Sequence, residues 1–126
     1  MACSQPTPPC AQRDLVASRS GLWFWGLPAL LLLVGVFWGG VRAPLWSVAF
    51  LLGGAACVAN AARCGRAHCY VAGPLYLGLS AVSALIGVGV ISGSWWWVGA
   101  AFLIGTLLAY VPEFLGKRYV HGSPLP

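Results

Sequence analysis

Long apolar runs separated by short polar breaks constrain this chain more than any other feature of its sequence. Hydrophobic residues make up 60% of its 126 residues and charged residues only 7%, whereas a typical soluble domain has about 25% charged residues. Two acids and seven bases cannot cover a folded domain of this size with a water-facing surface. We therefore expect an integral membrane protein whose surface is mostly covered by lipid.

Four of the apolar runs are each near the roughly 20 residues that cross a hydrocarbon core about 30 Å thick. The breaks between them are short, so consecutive helices should be antiparallel neighbours. We predict an all-α fold, a polytopic membrane protein with four transmembrane helices in an up-down bundle over residues 21–116. The approximate spans are 22–38, 45–62, 71–91 and 95–115, with a disordered cytoplasmic tail over 1–20 and a second cytoplasmic tail over 117–126.

The basic residues predict the orientation of the chain. Six of the seven lie before the first span, between the second and third, or after the fourth, and these regions share one side of a four-span protein. Because Lys and Arg accumulate in cytoplasmic loops, we expect both termini in the cytoplasm, in a multi-pass protein of the bacterial cytoplasmic (inner) membrane. The net charge of +5 then reflects topology, and no nucleic-acid partner is expected. The six bases are Arg13, Arg19, Arg63, Arg66, Lys117 and Arg118.

A polar segment directly after the second span holds most of the chemically reactive side chains. Cys64, His68 and Cys69 offer two thiols and an imidazole, a soft ligand set suited to Zn, Cu or Hg ions. If the second helix continued through this segment, Cys57, Asn60, Cys64 and His68 would fall on one helical face. Cys57 would then lie about 10 Å deeper in the membrane, as a buried relay ligand. We predict a metal site formed by Cys64, His68, Cys69 and Cys57.

Charged and amide side chains near these ligands are predicted to support the site. Arg63 and Arg66 would favour the thiolate form of the neighbouring cysteines, and they also fit the simpler role of topology anchors. Glu113 lies near the end of the fourth span on the same side, and an acid embedded in a membrane needs a partner, so we expect it to pair with Arg63 or Arg66. Asn60 would cap its helix, bond across helices or serve the site.

Two further cysteines, Cys3 and Cys10, lie among prolines in the N-terminal tail. Cytosolic thiols are kept reduced, and the odd total of five cysteines also argues against a closed disulfide framework. The two thiols are therefore either incidental or part of a flexible metal-scavenging arm.

The polar segment resembles a signature, N-x2-R-C-G-R-x-H-C-x3-G-P, which runs here from Asn60 to Pro74. This signature is typical of an uncharacterised family of small bacterial four-helix membrane proteins, and the resemblance implies that these residues act together. The architecture is also similar to that of mercuric-ion transport proteins, small inner-membrane proteins that pass Hg(II) between cysteine pairs. That second resemblance implies the transfer of a thiophilic ion by cysteine ligands.

Taken together, these features predict a small inner-membrane protein that binds or transfers a thiophilic metal ion at its cytosolic face. Two alternatives stay open: a structural or assembly subunit of a membrane complex, and a membrane thiol redox protein that uses Cys64 and Cys69. The sequence has no nucleophile elbow, carboxylate pair or phosphate loop, so no enzymatic activity is expected. The expected partners are the lipid bilayer and either further copies of the chain or another membrane protein.

Overall fold

The computed structural model describes residues 14–15, 19–117 and 119–120. The all-α fold with four helices is confirmed within these residues. Cys3, Cys10 and most of both predicted tails lie outside the described residues. The helices are α1 (Gly21–Phe37), α2 (Arg42–Cys64), α3 (Ala67–Gly87) and α4 (Trp95–Phe114), and a short 3₁₀ turn at Gly39–Val41 precedes α2.

Three helical segments are long and apolar enough to cross a membrane. They are Gly39–Cys64 (the 3₁₀ turn and α2), α3 and α4. The remaining helix, α1, is also apolar, but its 17 residues make it shorter. At a rise of 1.5 Å per residue, α1 is about 26 Å long. By the length and composition of its helices, the chain is a membrane protein.

An antiparallel hairpin of α2 and α3 forms the centre of the fold. A Cβ atom added at Gly54 would lie 3.0 Å from the backbone nitrogen of Leu77, and one added at Gly73 would lie 3.4 Å from that of Val58. Small residues at such positions let helices in lipid approach closely and gain van der Waals contact. Since α1 packs against α2 and α4 packs against α3, the hairpin positions every other element.

Aromatic side chains join the outer helices to this hairpin. The ring of Phe50 on α2 lies 6.3 Å from that of Tyr76 on α3 and 5.4 Å from that of Phe102 on α4, measured between centroids. On the other side, the indole nitrogen of Trp46 donates a hydrogen bond to the carbonyl oxygen of Leu32 on α1, at 3.1 Å. The core therefore runs through all four helices rather than through separate pairs.

A two-residue turn, Gly65–Arg66, connects α2 to α3. Gly65 has a φ of 64°, the left-handed conformation that commonly ends a helix. Helix α3 begins directly afterwards at Ala67, so His68 and Cys69 lie in its first turn. The hypothesis that α2 continues and carries His68 on its own face is therefore wrong, because the chain reverses at Gly65.

Pro74 lies inside α3, although the Gly73–Pro74 pair reads as the start of a helix in the sequence. The helix begins at Ala67 and ends at Gly87, so both ends lie four residues earlier than those of the predicted span 71–91. Membrane helices tolerate proline because neighbouring helices and local adjustments satisfy the freed backbone groups. The proline therefore marks no boundary here.

The close approach of α2 and α3 makes Gly54 sensitive to substitution. We expect Gly54→Ala to lower the free energy of unfolding by about 1–3 kcal/mol, as in other overpacked cores, because the added methyl group would meet Leu77 at 2.9–3.0 Å. Gly78→Ala is the matched control, since a Cβ atom there meets nothing within 4 Å and alanine favours helix. Thermal unfolding in detergent measures the stability of both variants. Equal unfolding midpoints would contradict the close approach of α2 and α3 at Gly54.

Candidate metal centre

A buried cluster of Cys57 from α2 and His68 and Cys69 from α3 lies between the two helices. The ligand atoms of the three side chains all lie within 4.8 Å of one another. The Nε2 atom of His68 is 3.3 Å from the Sγ atom of Cys69. With Zn–S bonds of about 2.3 Å, two sulfurs on one ion are roughly 3.8 Å apart in a tetrahedral site and about 4.6 Å apart in a linear one. The cluster therefore has the dimensions of a metal site.

The pairing of α2 with α3 brings Cys57 to the beginning of α3. A Cβ atom added at Gly73 would lie 3.5 Å from the Cβ atom of Cys57, so these two positions face each other across the hairpin. Cys69 precedes Gly73 by four residues, which is about one turn, and lies on the same face of α3. The sharp turn at Gly65 is what places this first turn of α3 beside α2.

All three side chains are removed from solvent. Cys57 and Cys69 are free cysteines and expose 0% of their surface, and His68 exposes 1%. A sulfur buried in this way cannot meet a bulky substrate, whereas an ion of atomic size fits between side chains that are already in contact. The burial therefore favours metal ligation over covalent chemistry on a large molecule.

The orientation of the His68 ring is fixed by α4. The Oε1 atom of Glu113 lies 2.5 Å from Nδ1 of His68, and the ring of Tyr110 stacks on the imidazole with centroids 4.4 Å apart. If Nδ1 donates to this carboxylate, Nε2 is the nitrogen that faces Cys69 and is available as a ligand. Carboxylates bind metal-ligating histidines in this way in many sites, because the contact fixes both the tautomer and the ring orientation.

Arg66, in the turn between the helices, binds both acids of the chain. Its guanidinium lies 2.6 Å from Oδ2 of Asp14 and 3.1 Å from Oε1 of Glu113. Burial acts to lower the pKa of Arg66, but the hydrogen bond with Glu113 and the charges of Asp14 and Glu113 raise that pKa above its ordinary value. Arg66 is therefore a permanent cation, and the expected pairing of Glu113 with an arginine is confirmed.

Asn60 on α2 links the cluster to the N-terminal segment. Its Nδ2 atom lies 3.6 Å from Sγ of Cys69 and 3.1 Å from Oδ1 of Asp14. Its Oδ1 atom accepts a hydrogen bond from the backbone N–H of Leu15 at 3.2 Å. An N–H group directed at a sulfur stabilises the negative charge that a thiolate ligand carries. Asn60 therefore contacts both a predicted ligand and the chain segment beyond the four helices.

The structure brings together most of the predicted site residues, but two lie elsewhere. Cys64 is buried at the end of α2 and is outside the three-ligand group, since the chain reverses between it and Cys69. Arg63 is exposed, so of the two arginines proposed for Glu113 it is Arg66 that makes the contact. The residues that the structure joins through direct contacts are Cys57, Asn60, Arg66, His68, Cys69 and Glu113.

Two residues that hold the site are missing from the sequence prediction. Asp14 falls in a predicted disordered tail, whereas it is 1% exposed and bound to Arg66 and Asn60. The sequence signal for Asp14 is that the chain has only two acidic residues. In the structure, Arg66 binds both of them. Tyr110 lies three residues before Glu113, on the same helical face, but a tyrosine near the end of a span is also typical of a lipid interface.

The C-terminal segment reaches the same end of the molecule. The backbone N–H of Val120 donates a hydrogen bond to the carbonyl oxygen of Gly65 at 2.9 Å, and Tyr119 pairs with Arg66 in an antiparallel bridge. The turn between α2 and α3 is thus contacted by chain from both ends of the sequence. These contacts hold Arg66 in place beside the cluster.

Fold and site together define a helical membrane protein with a buried group of two cysteines and one histidine. No protein-family model, curated protein or solved structure matches the chain. A function for the protein therefore has to be argued from the chemistry of its own side chains.

Proposed function

We propose that this protein binds a thiophilic metal ion, with Cys57, Cys69 and His68 as ligands, and transports it, hands it over or senses it. The observation that carries the proposal is the position of two sulfurs and one imidazole within 4.8 Å of one another between α2 and α3. Thiolate ligands select ions such as Cu(I) and Zn(II), together with Hg(II), over Mg²⁺ and Ca²⁺, which prefer oxygen. The ligand set therefore indicates the class of ion.

The number of ligands favours transfer over permanent storage. Structural zinc sites are closed by four protein ligands, whereas three protein ligands leave a coordination position open. An ion in the three-ligand group has a free position through which an incoming ligand can bind before the ion leaves. Exchange of this kind is what handover to another carrier requires.

Charge balance supports a divalent ion in particular. A buried ion is costly unless it is paired, and two thiolates with one divalent cation form a group of zero net charge. His68 adds a neutral ligand when its Nδ1–H group donates to Glu113. A divalent ion and its two thiolate ligands therefore add no net charge between the helices.

We further propose that the cluster lies at the cytosolic end of a bacterial inner-membrane protein. Arg63 and Arg66 lie at this end of α2, together with Lys117 after α4, whereas Arg42 begins α2 at the opposite end. Cytoplasmic loops carry the excess of Lys and Arg, which supports this orientation. The exposed apolar surfaces of the helices are then in contact with the bilayer.

Metal binding by the purified protein in detergent tests the proposal, with Zn(II), Cu(I) and Hg(II) measured separately. We expect about one ion per wild-type chain. Cys57→Ser and Cys69→Ser should each weaken binding at least about 100-fold, since removing a ligand exceeds the 10–100-fold loss typical of residues that only orient one. Cys64→Ser is the matched control, because it removes a buried thiol from the same helix as Cys57 but from outside the group.

Other results would contradict the proposal or favour a different site or function. Equal binding by wild type and the double variant Cys57→Ser/Cys69→Ser would contradict the proposal. Loss of binding in Cys64→Ser would move the site to the Cys64, His68 and Cys69 set that the sequence predicts. Absence of metal together with a reversible loss of two titratable thiols on oxidation would favour the redox alternative, and co-purification with another membrane protein would favour the assembly alternative.

A further inference from the structure

Asp14 and Leu15 belong to none of the four helices, but they contact residues that adjoin the three-ligand group. The carboxylate of Asp14 accepts hydrogen bonds from Nη1 of Arg66 at 2.6 Å and from Nδ2 of Asn60 at 3.1 Å. The backbone N–H of Leu15 donates to Oδ1 of Asn60 at 3.2 Å. Asp14 is 1% exposed and Leu15 is half-buried, so the Asp14 side chain lies in the interior rather than on the surface.

We propose that Asp14 and Leu15 form a strap that closes the cluster to water and positions the Asn60 amide against Cys69. The strap controls how fast small molecules and ions reach the two sulfurs. Its effect on metal exchange rests on the proposed function, whereas its effect on thiol access does not.

The partners of the strap make it able to open without unfolding the helices. When Asp14 leaves, Arg66 keeps its contact with Glu113 at 3.1 Å, and the carboxylate of Asp14 gains water. The Leu15 N–H group is hydrated as well, whereas Asn60 loses its contacts with both residues of the strap. Local opening that leaves the helices folded requires less free energy than global unfolding.

Asn60 couples the strap to the ligands. One side-chain amide contacts Asp14 and Leu15 on one side and the sulfur of Cys69 on the other. A change at the sulfur, such as the binding of an ion, therefore alters an amide that also holds the strap. Coupling of this kind is reciprocal, so an open strap also changes how the sulfur holds its ion.

Thiol alkylation by N-ethylmaleimide on the full-length protein in detergent tests the strap. Cleavage by trypsin at Arg63, Arg66 and Lys117 places Cys57, Cys64 and Cys69 on separate peptides, so each rate is read independently. We expect Asp14→Ala to accelerate alkylation of Cys57 and Cys69 about tenfold or more, because a hydrogen bond between charged groups is lost from the closed state.

Two further variants make this test specific. Leu15→Pro removes the N–H group that binds Asn60, and it should accelerate the same two thiols without changing any charge. Arg19→Gln changes the charge of an exposed residue close to the strap in sequence, and it should leave all rates as in the wild type. Unchanged rates in both Asp14→Ala and Leu15→Pro would overturn the proposal. An equal increase in the alkylation rate of Cys64, which is also buried, would overturn the proposal too, because it would indicate that the whole fold has loosened.

Metal exchange provides the second readout, with the ion that the wild type binds and a chelator as acceptor. In Asp14→Ala we expect the ion to enter and to leave about tenfold faster, with a much smaller change in the dissociation constant. Entry and exit rates in Asp14→Ala that equal those of the wild type would overturn the strap. A wild type that binds no ion would overturn the proposed function alone, since the alkylation rates still decide whether the strap exists.

Discussion

Arg66→Gln should lower the free energy of unfolding by about 3–5 kcal/mol, the loss typical of removing one member of a buried ion pair. The substitution leaves the carboxylates of Asp14 and Glu113 without the cation that lies between them. Asp14 is 1% exposed and Glu113 only 11%, so water cannot replace the guanidinium as long as Asp14 stays in its buried position. Thermal or denaturant unfolding of the purified protein in detergent measures the loss.

Arg63→Gln is the matched control, since it removes the same charge from an exposed side chain three residues earlier. We expect its effect to stay within about 0.5 kcal/mol, as for most surface substitutions. Arg66→Lys should give an intermediate loss, because lysine keeps the charge but lacks the planar fork that binds two carboxylates. Equal losses for Arg63→Gln and Arg66→Gln would contradict a role for the buried contacts.

The stability that Arg66 supplies should not change between about pH 7 and about pH 10. Its pKa is raised above the ordinary arginine value by Glu113 and Asp14, in spite of its burial. A group with a raised pKa stabilises the fold at every pH below its unfolded-state pKa, and that contribution is lost only as the pH rises through the folded-state pKa. The titration of Arg66 itself should therefore add no pH dependence to the difference in the free energy of unfolding between wild type and Arg66→Gln over this range.

The fold can be predicted from the sequence because it depends on local properties of the chain. The length of each apolar run decides whether a helix can cross a membrane, and short breaks force consecutive helices to lie side by side. Helix ends are less certain, as α3 demonstrates. Its first turn contains His68 and Cys69, which read as loop residues, and its interior contains Pro74, which reads as a boundary.

The ligand group can be predicted only in part, because it depends on where the chain reverses. The left-handed conformation of Gly65 separates Cys64 from Cys69 and places Cys69 opposite α2, where Cys57 lies. Counting residues along one continuous helix cannot find this arrangement. Asp14 is harder still, since its place depends on contacts with Asn60 and Arg66 that are 46 and 52 residues away in sequence.

Glu113→Ala should weaken metal binding by about 10–100-fold, the range typical of residues that orient a metal-ligating histidine. The substitution removes the oxygen that lies 2.5 Å from Nδ1 of His68 but leaves all three proposed ligands in place. Glu113→Gln should lose less affinity for the ion, because the oxygen of the glutamine side chain can still accept a hydrogen bond from Nδ1 of His68. Tyr110→Phe keeps the ring that stacks on His68 and should bind the ion as the wild type does.

A double-mutant cycle distinguishes this role from a general effect on folding. If Glu113 acts through His68, the double variant Glu113→Ala/His68→Ala should bind the ion no more weakly than His68→Ala alone. Fully additive losses would contradict that role, and they would leave Glu113 as a partner of Arg66 only. The affinity of each variant is measured on protein that is still folded, so that unfolding caused by loss of the Arg66 contact does not enter the comparison. Non-additive losses would identify His68 as a ligand and Glu113 as the residue that aims Nε2 at the ion.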